Sequence, residues 1–488
     1  MLTTELNSPD YPGAQYDQNW QKLTFPQNYR NPIPKKCYHL VIIGAGPAGL
    51  ITAITASGLG AKVALIEQRG MGGDCLNVGC VPSKALLEFT KHKSSPTFND
   101  AFSWMRQTRN LIARHDSVER YVKKGVDVFL GTGSFLDEKT IKVGEQELTT
   151  QKTLIATGSN PKFPHLIGLS ESHPLTNESV FNLTEPPKDL AILGAGPVGC
   201  ELSQALSRLG IKINLFEIAD KILSKEHPKA SDMVTQFLLD DGVQLFTGTK
   251  ISEIKKTDTH LIVCTDKGKI RVEKILVAAG RQANINSLGI ESIGIELRNG
   301  LIAVDNKLRT TNPKVFAAGD VCSQLQYTHN ADSHARIVVQ NSLFAPTATT
   351  DKLVVPHCTY TNPEVASVGE TQETLTAQGV SFDTYNIALG DLDRSQTRGD
   401  RTGFVEVLTS SKRDNILGAT IVARDAGEQI ASICVAMANN IGLRALGKAV
   451  IPYPTRGEYL KRLADTYNRK RITPIARKLL NIWFQKNE

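Results

Sequence analysis

A glycine-rich turn between two apolar strands occurs twice in this chain of 488 residues, and the second copy begins 150 residues after the first (194 minus 44). In the first copy an uninterrupted apolar run at 38–43 leads into the turn 44–49, a helical stretch at 47–59 and a second apolar run at 62–66. The second copy repeats this order at 190–193, 194–199, 200–209 and 212–216. Continuous apolar runs that end in glycine are typical of buried parallel strands, so the repeat predicts two βαβ units.

Both turns match the pattern Gly-x-Gly-x-x-Gly, through Gly44, Gly46 and Gly49 in the first copy and Gly194, Gly196 and Gly199 in the second. In such turns the first glycine permits a tight bend, the second lets the backbone approach a pyrophosphate, and the third lets helix and strand pack closely. The helix N-terminus then offers free N–H groups to the phosphates. Glycine-rich turns also occur without ligands, but the repetition together with the flanking elements predicts two dinucleotide sites and electron transfer between them.

An acidic residue ends the second strand of each copy. Glu67 and Glu217 each lie 18 residues past the last glycine of their turn (67 minus 49 and 217 minus 199), where a carboxylate accepts hydrogen bonds from a ribose. Because a carboxylate at Glu217 would repel a 2′-phosphate, we expect a preference for NADH over NADPH, which the nearby Lys212, Lys221 and Lys225 weaken.

Two cysteines stand between the two turns, in the segment Gly-Gly-Asp-Cys-Leu-Asn-Val-Gly-Cys-Val-Pro-Ser-Lys at 72–84. Four residues separate Cys75 from Cys80, and a helical run at 85–90 follows. A loop that enters a helix can bring two such thiols within bonding distance, and the helix N-terminus and Lys84 would favour the reactive thiolate. The alternative from spacing alone is two buried cysteines that never meet.

Composition excludes several other classes of protein. Hydrophobic residues make up 41% and charged residues 22%, the balance of an ordinary globular protein, and the net charge of +7 comes from dispersed residues, so no nucleic-acid partner is expected. Eight cysteines are too few for a disulfide scaffold in a chain of this length, and no window of 18 uninterrupted apolar residues predicts a membrane span. With no secretory signal recognised at the start, we expect a cytoplasmic protein.

The chain resembles the flavin-dependent pyridine nucleotide–disulfide oxidoreductases, which include dihydrolipoamide dehydrogenase, glutathione reductase and mercuric reductase. The resemblance covers about residues 38–470. Its motifs occur in family order at 44–49, 75–84, 153–158, 194–201, 277–281 and 315–320. The segment 72–84, with Tyr327-Thr328-His329 and Tyr467-Asn468-Arg469, is most similar to the mercuric reductase-related branch.

This resemblance implies an α/β fold with two Rossmann-like dinucleotide-binding domains and a C-terminal α+β interface domain. The implied domains are an FAD-binding domain at 37–182 with a return segment at 301–352, an NAD(P)-binding domain at 183–300 and an interface domain at 353–488, after an extended leader at 1–36. It also implies a homodimer in which the C-terminal domain of the partner completes the active site.

The resemblance assigns roles residue by residue. FAD would lie against the first glycine turn, with Glu67 on its ribose and with Lys84, Gly133, Thr157, Gly158, Asp320 and His329 as further contacts. NAD(P)H would lie against the second turn, lined by Gly280 and Arg281. Cys80 would be the thiol beside the flavin, and Cys75 the outer thiol that meets the substrate. Lys84 and Glu201 would form an ion pair near the contact between flavin and nicotinamide.

The segment Tyr453-Pro454-Thr455-Arg456-Gly457-Glu458 departs from the disulfide reductases of this family. They carry histidine where this chain has Tyr453, and that histidine forms a dyad with the residue matching Glu458. Because the imidazole holds the proton of the outer thiol, its loss should slow thiol–disulfide exchange by about 10²–10⁴-fold. Electron transfer to a soft metal ion or a quinone does not require such a base.

Mercuric ion or a related electrophile is therefore the leading expected acceptor, with Cys75 and Cys80 as transient Hg(II) ligands and no structural metal site. Mercuric reductase shares the tyrosine, but it also uses a C-terminal cysteine pair and an N-terminal Cys-x-x-Cys module that this sequence lacks. A dihydrolipoamide dehydrogenase-like or glutathione reductase-like disulfide reductase is the alternative within the class. A redox-sensing flavoprotein with little turnover is the alternative outside it.

Two further expectations concern the tail and the remaining cysteines. One face of a helix in the tail is apolar and consists of Ile475, Leu479, Ile482 and Trp483, with the basic residues Arg477, Lys478 and Lys486 elsewhere. Such a helix could make weak contact with an anionic membrane surface, or it could cap its own domain or a partner subunit. The other cysteines, which we interpret as buried single thiols, are Cys37, Cys200, Cys264, Cys322, Cys358 and Cys434.

Overall fold

A computed structural model describes residues 13–92 and 95–486. These residues divide into two compact units. The larger unit contains the chain up to Leu223 together with Leu238–Lys352, and the smaller unit contains Ser224–Phe237 together with the chain from Leu353 onward.

Helices and strands are interspersed along the whole of the described chain. The helices are α1 Ala14–Thr24, α2 Pro47–Gly58, α3 Gly73–Asn77, α4 Cys80–His92, α5 Phe98–Ala113, α6 Val118–Lys123, α7 Asn177–Val180, α8 Pro197–Arg208, α9 Pro228–Asp240, α10 Thr328–Leu343, α11 Gln372–Ala377, α12 Asp393–Arg398, α13 Ala426–Ala438, α14 Leu443–Leu446, α15 Glu458–Lys470 and α16 Pro474–Gln485. The strands are β1 Tyr38–Ile43, β2 Val63–Glu67, β3 Asp127–Leu130, β4 Gly133–Asp137, β5 Thr140–Val143, β6 Gln146–Ile155, β7 Ser159–Pro161, β8 Asp189–Leu193, β9 Lys212–Phe216, β10 Gln244–Phe246, β11 Ile251–Lys256, β12 Leu261–Thr265, β13 Gly268–Val272, β14 Lys274–Val277, β15 Arg281–Ala283, β16 Leu297–Arg298, β17 Leu301–Ile302, β18 Val315–Ala317, β19 His357–Thr359, β20 Glu364–Gly369, β21 Phe382–Ala388, β22 Phe404–Ser410 and β23 Ile416–Ala423.

The first βαβ unit lies in a seven-stranded sheet with the order β3-β2-β1-β6-β5-β4, in which β18 also pairs with β6. The strands around β1 run parallel, with Ile43 opposite both Ile66 and Ile155, whereas β4 and β5 add an antiparallel edge. The apolar run of β1 is almost wholly buried, as a strand covered on both faces requires. The first glycine turn therefore lies at the carboxyl end of β1.

The second βαβ unit lies in a four-stranded parallel sheet with the order β10-β9-β8-β14. Its glycine turn follows β8 and leads into α8, as the first leads from β1 into α2. A Cβ at Gly49 would lie 1.9 Å from the carbonyl oxygen of Gly44, and a Cβ at Gly199 would lie 1.9 Å from that of Gly194. The two copies therefore share the same close packing of helix on strand.

The smaller unit is built on a five-stranded antiparallel sheet with the order β19-β20-β23-β22-β21. Its core combines apolar residues of the central strands with those of α13 and α15, and Leu463 and Tyr459 of α15 are buried in it. The helix α15 begins at Glu458, so the fold of this unit sets the position of the segment 453–458.

The expectation of an extended leader is wrong for residues 14–24, which form α1. Its buried residues are Ala14, Asp17, Trp20 and Thr24, whose spacing of three to four residues defines one helical face. Two of these four residues are polar, so hydrophobic periodicity alone does not reveal the helix. The first twelve residues of the leader lie outside the described residues.

The C-terminal tail forms the amphipathic helix α16, in which no residue is buried. Ile475 is 74% exposed and Trp483 is 65% exposed. Contact of this helix with a membrane surface stays a prediction. Within the ranges 13–92 and 95–486, no helix combines the length and the apolar character needed to cross a bilayer.

The glycine contacts make a direct prediction about cofactor binding. We expect Gly49→Ala to destabilise the protein by about 1–3 kcal/mol and to lower its flavin content, because the added methyl group collides with a backbone carbonyl. Gly58→Ala is the matched control at the other end of α2, since a Cβ there has no neighbour within 4 Å. Thermal unfolding and flavin absorbance measure both effects. Equal behaviour of the two variants would contradict the packing argument.

Candidate active site

A cavity of about 1010 Å³ opens in the larger unit at the carboxyl ends of the parallel strands. The expected site residues that line it are Gly44, Gly46, Glu67, Cys75, Cys80, Lys84, Gly133, Thr157, Gly158, Gly196, Glu201, Gly280, Arg281 and Asp320. The expected residues of this unit that do not line it are Gly49, Gly194, Gly199, Glu217 and His329. The cavity lies at the upper end of the ~300–1,000 Å³ range of small-molecule sites.

The acidic residues that end the two repeats hold their glycine turns in place. Glu67 is buried and accepts hydrogen bonds from the backbone N–H groups of Ala45 at 2.8 Å and Arg69 at 2.6 Å. Glu217 accepts in the same way from the N–H groups of Ala195 at 2.8 Å and Ala219 at 3.0 Å. Burial raises the pKa of Glu67 above its ordinary value, while these backbone hydrogen bonds oppose that shift. Recognition of a ribose by either carboxylate remains a proposal.

The two cysteines are brought together by a tight connection between α3 and α4. Cys75 lies in α3, Cys80 is the first residue of α4, and both are free thiols. A Cβ at Gly79 would lie 2.8 Å from the carbonyl oxygen of Asp74, so a glycine is needed where the chain folds back. The two thiols are close enough to change each other's ionisation.

The hydrogen bond from the Cys75 thiol lowers the pKa of Cys80 to about 6, against burial, which would raise it. The positive charge of Lys84 lowers it further, and the hydroxyl oxygen of Thr328 lies 3.7 Å from the Cys80 sulfur. The same hydrogen bond and burial raise the pKa of Cys75. In the reduced pair, ionisation is therefore favoured at Cys80 and disfavoured at Cys75.

Lys84 and Glu201 form an ion pair across two helices. The Lys84 ammonium nitrogen lies 2.7 Å from a carboxylate oxygen of Glu201, which is buried in the second turn of α8. Lys84 follows Cys80 by one helical turn in α4, so it couples the cysteine pair to the helix that the second glycine turn begins. The pair can steady charge that develops between the two dinucleotide sites.

Arg281 lines the cavity, and its expected place at the nicotinamide site stays a prediction. Its strand β15 pairs with β7, and its guanidinium donates to the hydroxyl and carbonyl oxygens of Ser159, both at 2.7 Å, and to Asp74. Asp320 accepts from the Ser159 hydroxyl at 2.7 Å and lies 3.9 Å from Arg281. Arg281 therefore belongs to the polar group around Asp320.

His329 does not line the cavity, and its expected place near the flavin ring stays a prediction. The cavity is lined by Thr328, whereas His329 is exposed and stacks on Tyr327 with ring centroids 5.4 Å apart. Because α10 begins at Thr328, the next side chain points about 100° around the helix. The residues that sequence reasoning missed, Asp74, Ser159 and Thr328, all stand next to a residue it had singled out.

Tyr453 and Glu458, in the smaller unit, have separate partners. The Tyr453 hydroxyl donates to a carboxylate oxygen of Asp393 at 2.8 Å, and this hydrogen bond raises the pKa of Tyr453. One carboxylate oxygen of Glu458 accepts from Arg462 at 2.8 Å, while its other oxygen is buried and has no hydrogen-bond partner among the described residues. Tyr453 and Glu458 thus do not form a dyad with each other.

The remaining cysteines are not uniformly buried. Cys200 and Cys264 are buried, whereas Cys37, Cys322, Cys358 and Cys434 are half-buried, which corrects the expectation for those four. No cluster of three or more potential metal ligands occurs in the part of the chain that the structure describes.

Comparison with known proteins places the chain in a family. The model of the pyridine nucleotide–disulphide oxidoreductases matches residues 38–335, and that of their dimerisation domain matches residues 355–464. The chain belongs to the pyridine nucleotide–disulphide oxidoreductase family. Its α/β fold, its oxidoreductase activity and its cofactors, FAD and NAD(P)H, are those of this family, and the dimerisation domain supports a homodimer.

Two relatives and one solved structure illustrate the likeness. The chain is 31% identical to the mercuric reductase of Staphylococcus aureus over 88% of this chain and 83% of that protein. It is 30% identical to the dihydrolipoyl dehydrogenase of Bacillus subtilis over 89% and 99% of the two chains. It also matches the Cu(II) complex of a HOCl-induced flavoprotein disulfide reductase of Escherichia coli with a TM-score of 0.82, at 27% identity, over 88% of this chain and 100% of that one.

The backbone of the cavity fits the cofactors of this family. Gly158 and Gly280 have positive φ values of 67° and 107°, and a Cβ at either would meet no atom within 4 Å. A Cβ at Gly46 would come no closer than 3.8 Å to its nearest neighbour, the Cα of Gly73. Because glycine has no side chain, these positions stay open, and a ligand can approach the backbone closely there.

The charge at Lys84 leads to a prediction about pH dependence. In the reduced protein, we expect the cysteine pair to lose its first proton near pH 6, so that alkylation by iodoacetamide accelerates as the pH rises through that value. Lys84→Met should move this midpoint upward, because the neighbouring positive charge favours the thiolate. Lys91→Met, in the same helix, is the control. Peptide mapping after timed alkylation gives the rates, and an unmoved midpoint in Lys84→Met would count against this account.

Proposed function

We propose that this protein is a flavin disulfide oxidoreductase that delivers electrons from NAD(P)H to a thiophilic metal ion bound by Cys75 and Cys80, with Hg(II) as the leading acceptor. The observation that carries this proposal is the state of the segment 453–458. Tyr453 is hydrogen-bonded to Asp393 and Glu458 is paired with Arg462, so neither is arranged as a general base for a thiol. An acceptor that needs no proton from such a base suits this site.

The roles of the cysteines follow from their ionisation. The thiolate of Cys80 is a soft ligand that needs no base near neutral pH, and Cys75 becomes a second one when a metal ion displaces its proton. Two neighbouring thiolates on this short connection between α3 and α4 can hold one metal ion between them. FAD, when bound, supplies the electron pair that it takes from the reduced nicotinamide.

The names of similar proteins agree with a metal acceptor. Several relatives of about 30% identity are mercuric reductases, including those of Bacillus cereus and Streptomyces lividans. The similar flavoprotein from Escherichia coli was solved as a Cu(II) complex. We therefore include Cu(II) among the related acceptors.

The second candidate is a disulfide reductase of the dihydrolipoamide dehydrogenase or glutathione reductase type. Its support is that dihydrolipoyl dehydrogenases are nearly as similar to the chain, at 29–30% identity. A redox sensor with little turnover, the third hypothesis, would be reduced stoichiometrically and then stop.

The dimerisation domain extends the proposal to the assembly. We propose that the segment carrying Tyr453 and Glu458 completes the active site of a partner subunit.

Two further proposals concern the electron donor and the compartment. We propose that NADH is the preferred donor, because the Glu217 carboxylate would repel the 2′-phosphate of NADPH. We also propose that the protein acts in the cytoplasm.

The test compares acceptors on purified holoenzyme, using Hg(II), Cu(II), lipoamide, glutathione disulfide and a quinone, each with NADH and with NADPH. We expect sustained NADH oxidation with a metal ion, little turnover with either disulfide, and loss of the metal-dependent rate in Cys75→Ser. Rapid turnover of lipoamide or glutathione disulfide would overturn the assignment. A single stoichiometric reduction with every acceptor would favour the sensor.

The same assay on two variants isolates the tyrosine. Tyr453→His should raise disulfide turnover by about tenfold, less than the ~10²–10⁴-fold of a fully oriented general base, because Glu458 is held by Arg462 and cannot orient the imidazole fully. Tyr453→Phe, which removes the hydrogen bond to Asp393 without adding a base, should give no gain. Equal disulfide rates in the two variants would refute the role assigned to the missing histidine.

A further inference from the structure

The helix α1 lies before the family match, which begins at residue 38, yet it contacts the segment between the two cysteines. The indole N–H of Trp20 donates to the side-chain oxygen of Asn77 at 2.7 Å. Both residues are buried, with Trp20 only 1% exposed. Asn77 is the last residue of α3, two residues after Cys75 and three before Cys80.

The amide of Asn77 fixes the path of the chain into the cysteine segment. Its NH₂ group donates to the carbonyl oxygens of Gly70 at 3.2 Å, Met71 at 3.2 Å and Gly73 at 2.8 Å. Its oxygen accepts from Trp20. Loss of the indole donor would therefore leave a buried acceptor without that partner, in the residue that organises this turn.

A second connection runs from α1 through α5 to the same residue. Asp17 binds the guanidinium of Arg109 at 2.6 Å and that of Arg106 at 3.0 Å, and all three side chains are at most 2% exposed. Arg109 also donates to the backbone carbonyl of Asn77 at 3.0 Å, and its guanidinium carbon lies 3.9 Å from the centre of the Trp20 ring. A buried carboxylate between two guanidinium groups is held firmly, because removing one partner leaves an uncompensated charge.

Apolar packing reaches the neighbours of both cysteines. Trp20 shares a buried cluster with Leu76 and Ala113, against which Leu23 and Val81 also pack. Leu76 directly follows Cys75, and Val81 directly follows Cys80. The cluster that α1 joins through Trp20 thus reaches the residue next to each sulfur.

We propose that α1 is a positioning element for the redox pair: Trp20 and Asp17, acting through Asn77, Arg109, Leu76 and Val81, hold Cys75 and Cys80 close together and thereby set their reactivity and their reduction equilibrium. The proposal rests on the redox role proposed for the two cysteines. Two thiols held at short range form their disulfide more favourably than two thiols on a loose segment, because less freedom is lost on bond formation.

The test uses Trp20→Phe in the full-length holoenzyme. Phenylalanine keeps an aromatic ring under Arg109 and in the apolar cluster, but it removes the N–H group that donates a hydrogen bond to Asn77. Tyr29→Phe is the matched control, because it removes one donor from the same N-terminal segment, the hydroxyl bound to the carbonyl of Val128 at 2.9 Å, far from the cysteines in sequence.

Each protein is equilibrated with mixtures of reduced and oxidised dithiothreitol, and the free cysteines are then alkylated and identified by mass. We expect the disulfide of Trp20→Phe to be about tenfold easier to reduce than that of the wild type, because the unsatisfied Asn77 oxygen is relieved more readily in the dithiol form, where no bond joins Cys75 to Cys80. The pH midpoint for alkylation of the pair should also rise. Tyr29→Phe should leave both quantities unchanged, even if its thermal stability falls.

The outcomes separate this inference from the proposed function. If the wild type shows no reversible equilibrium between dithiol and disulfide, the proposed function fails. If the wild type does show it and Trp20→Phe matches the wild type, the positioning role of α1 is refuted. Should Trp20→Phe lose its flavin, Asp17→Asn weakens the hold on Arg109 with the indole intact, and an unchanged equilibrium in that variant overturns the inference equally.

Discussion

The packing of a helix directly on the carbonyl of a glycine turn is the constraint on which the rest of this structure depends. At Gly49 against Gly44, and again at Gly199 against Gly194, a side chain of any size would force the helix away from its strand. The close approach places the N-termini of α2 and α8 at the carboxyl ends of β1 and β8. The first turn borders the cavity directly, and Gly196 and Glu201 of the second copy line it as well, so the two repeats converge on one site.

The cysteine segment packs against the first turn, where Gly73 meets Gly46, and is held from several directions. Lys84 joins it to α8 through Glu201, and Asn77 joins it to α1 and α5. The result is a pair of sulfurs with opposite tendencies: Cys80 ionises readily and Cys75 retains its proton. In the smaller unit, by contrast, Tyr453 is hydrogen-bonded to Asp393, and Glu458 is hydrogen-bonded to Arg462. Neither residue is arranged as a base for a disulfide substrate. This combination is the basis of the proposed metal acceptor.

Local signals allowed the central parts to be predicted from sequence. The strand at 38–43 and both glycine turns follow from patterns within a few residues, and the pairing of Lys84 with Glu201 follows from the family resemblance. What could not be predicted depends on distant contacts. Arg281 turns toward Asp320 because β15 pairs with β7, and α1 was missed because Asp17 finds its partners, Arg106 and Arg109, some ninety residues away. At the start of α10, Thr328 lines the cavity and its neighbour His329 does not, a distinction that depends on the helix orientation and is not visible in the sequence.

The most direct measurement of the central claim is an anaerobic reductive titration of the holoenzyme, followed by flavin absorbance and by a count of free thiols. If Cys75 and Cys80 exchange electrons with the flavin, the wild type takes up two electron pairs for each flavin and gains two thiols, whereas Cys80→Ser takes up one pair. Uptake of a single electron pair by the wild type, with no gain of thiols, would contradict the account.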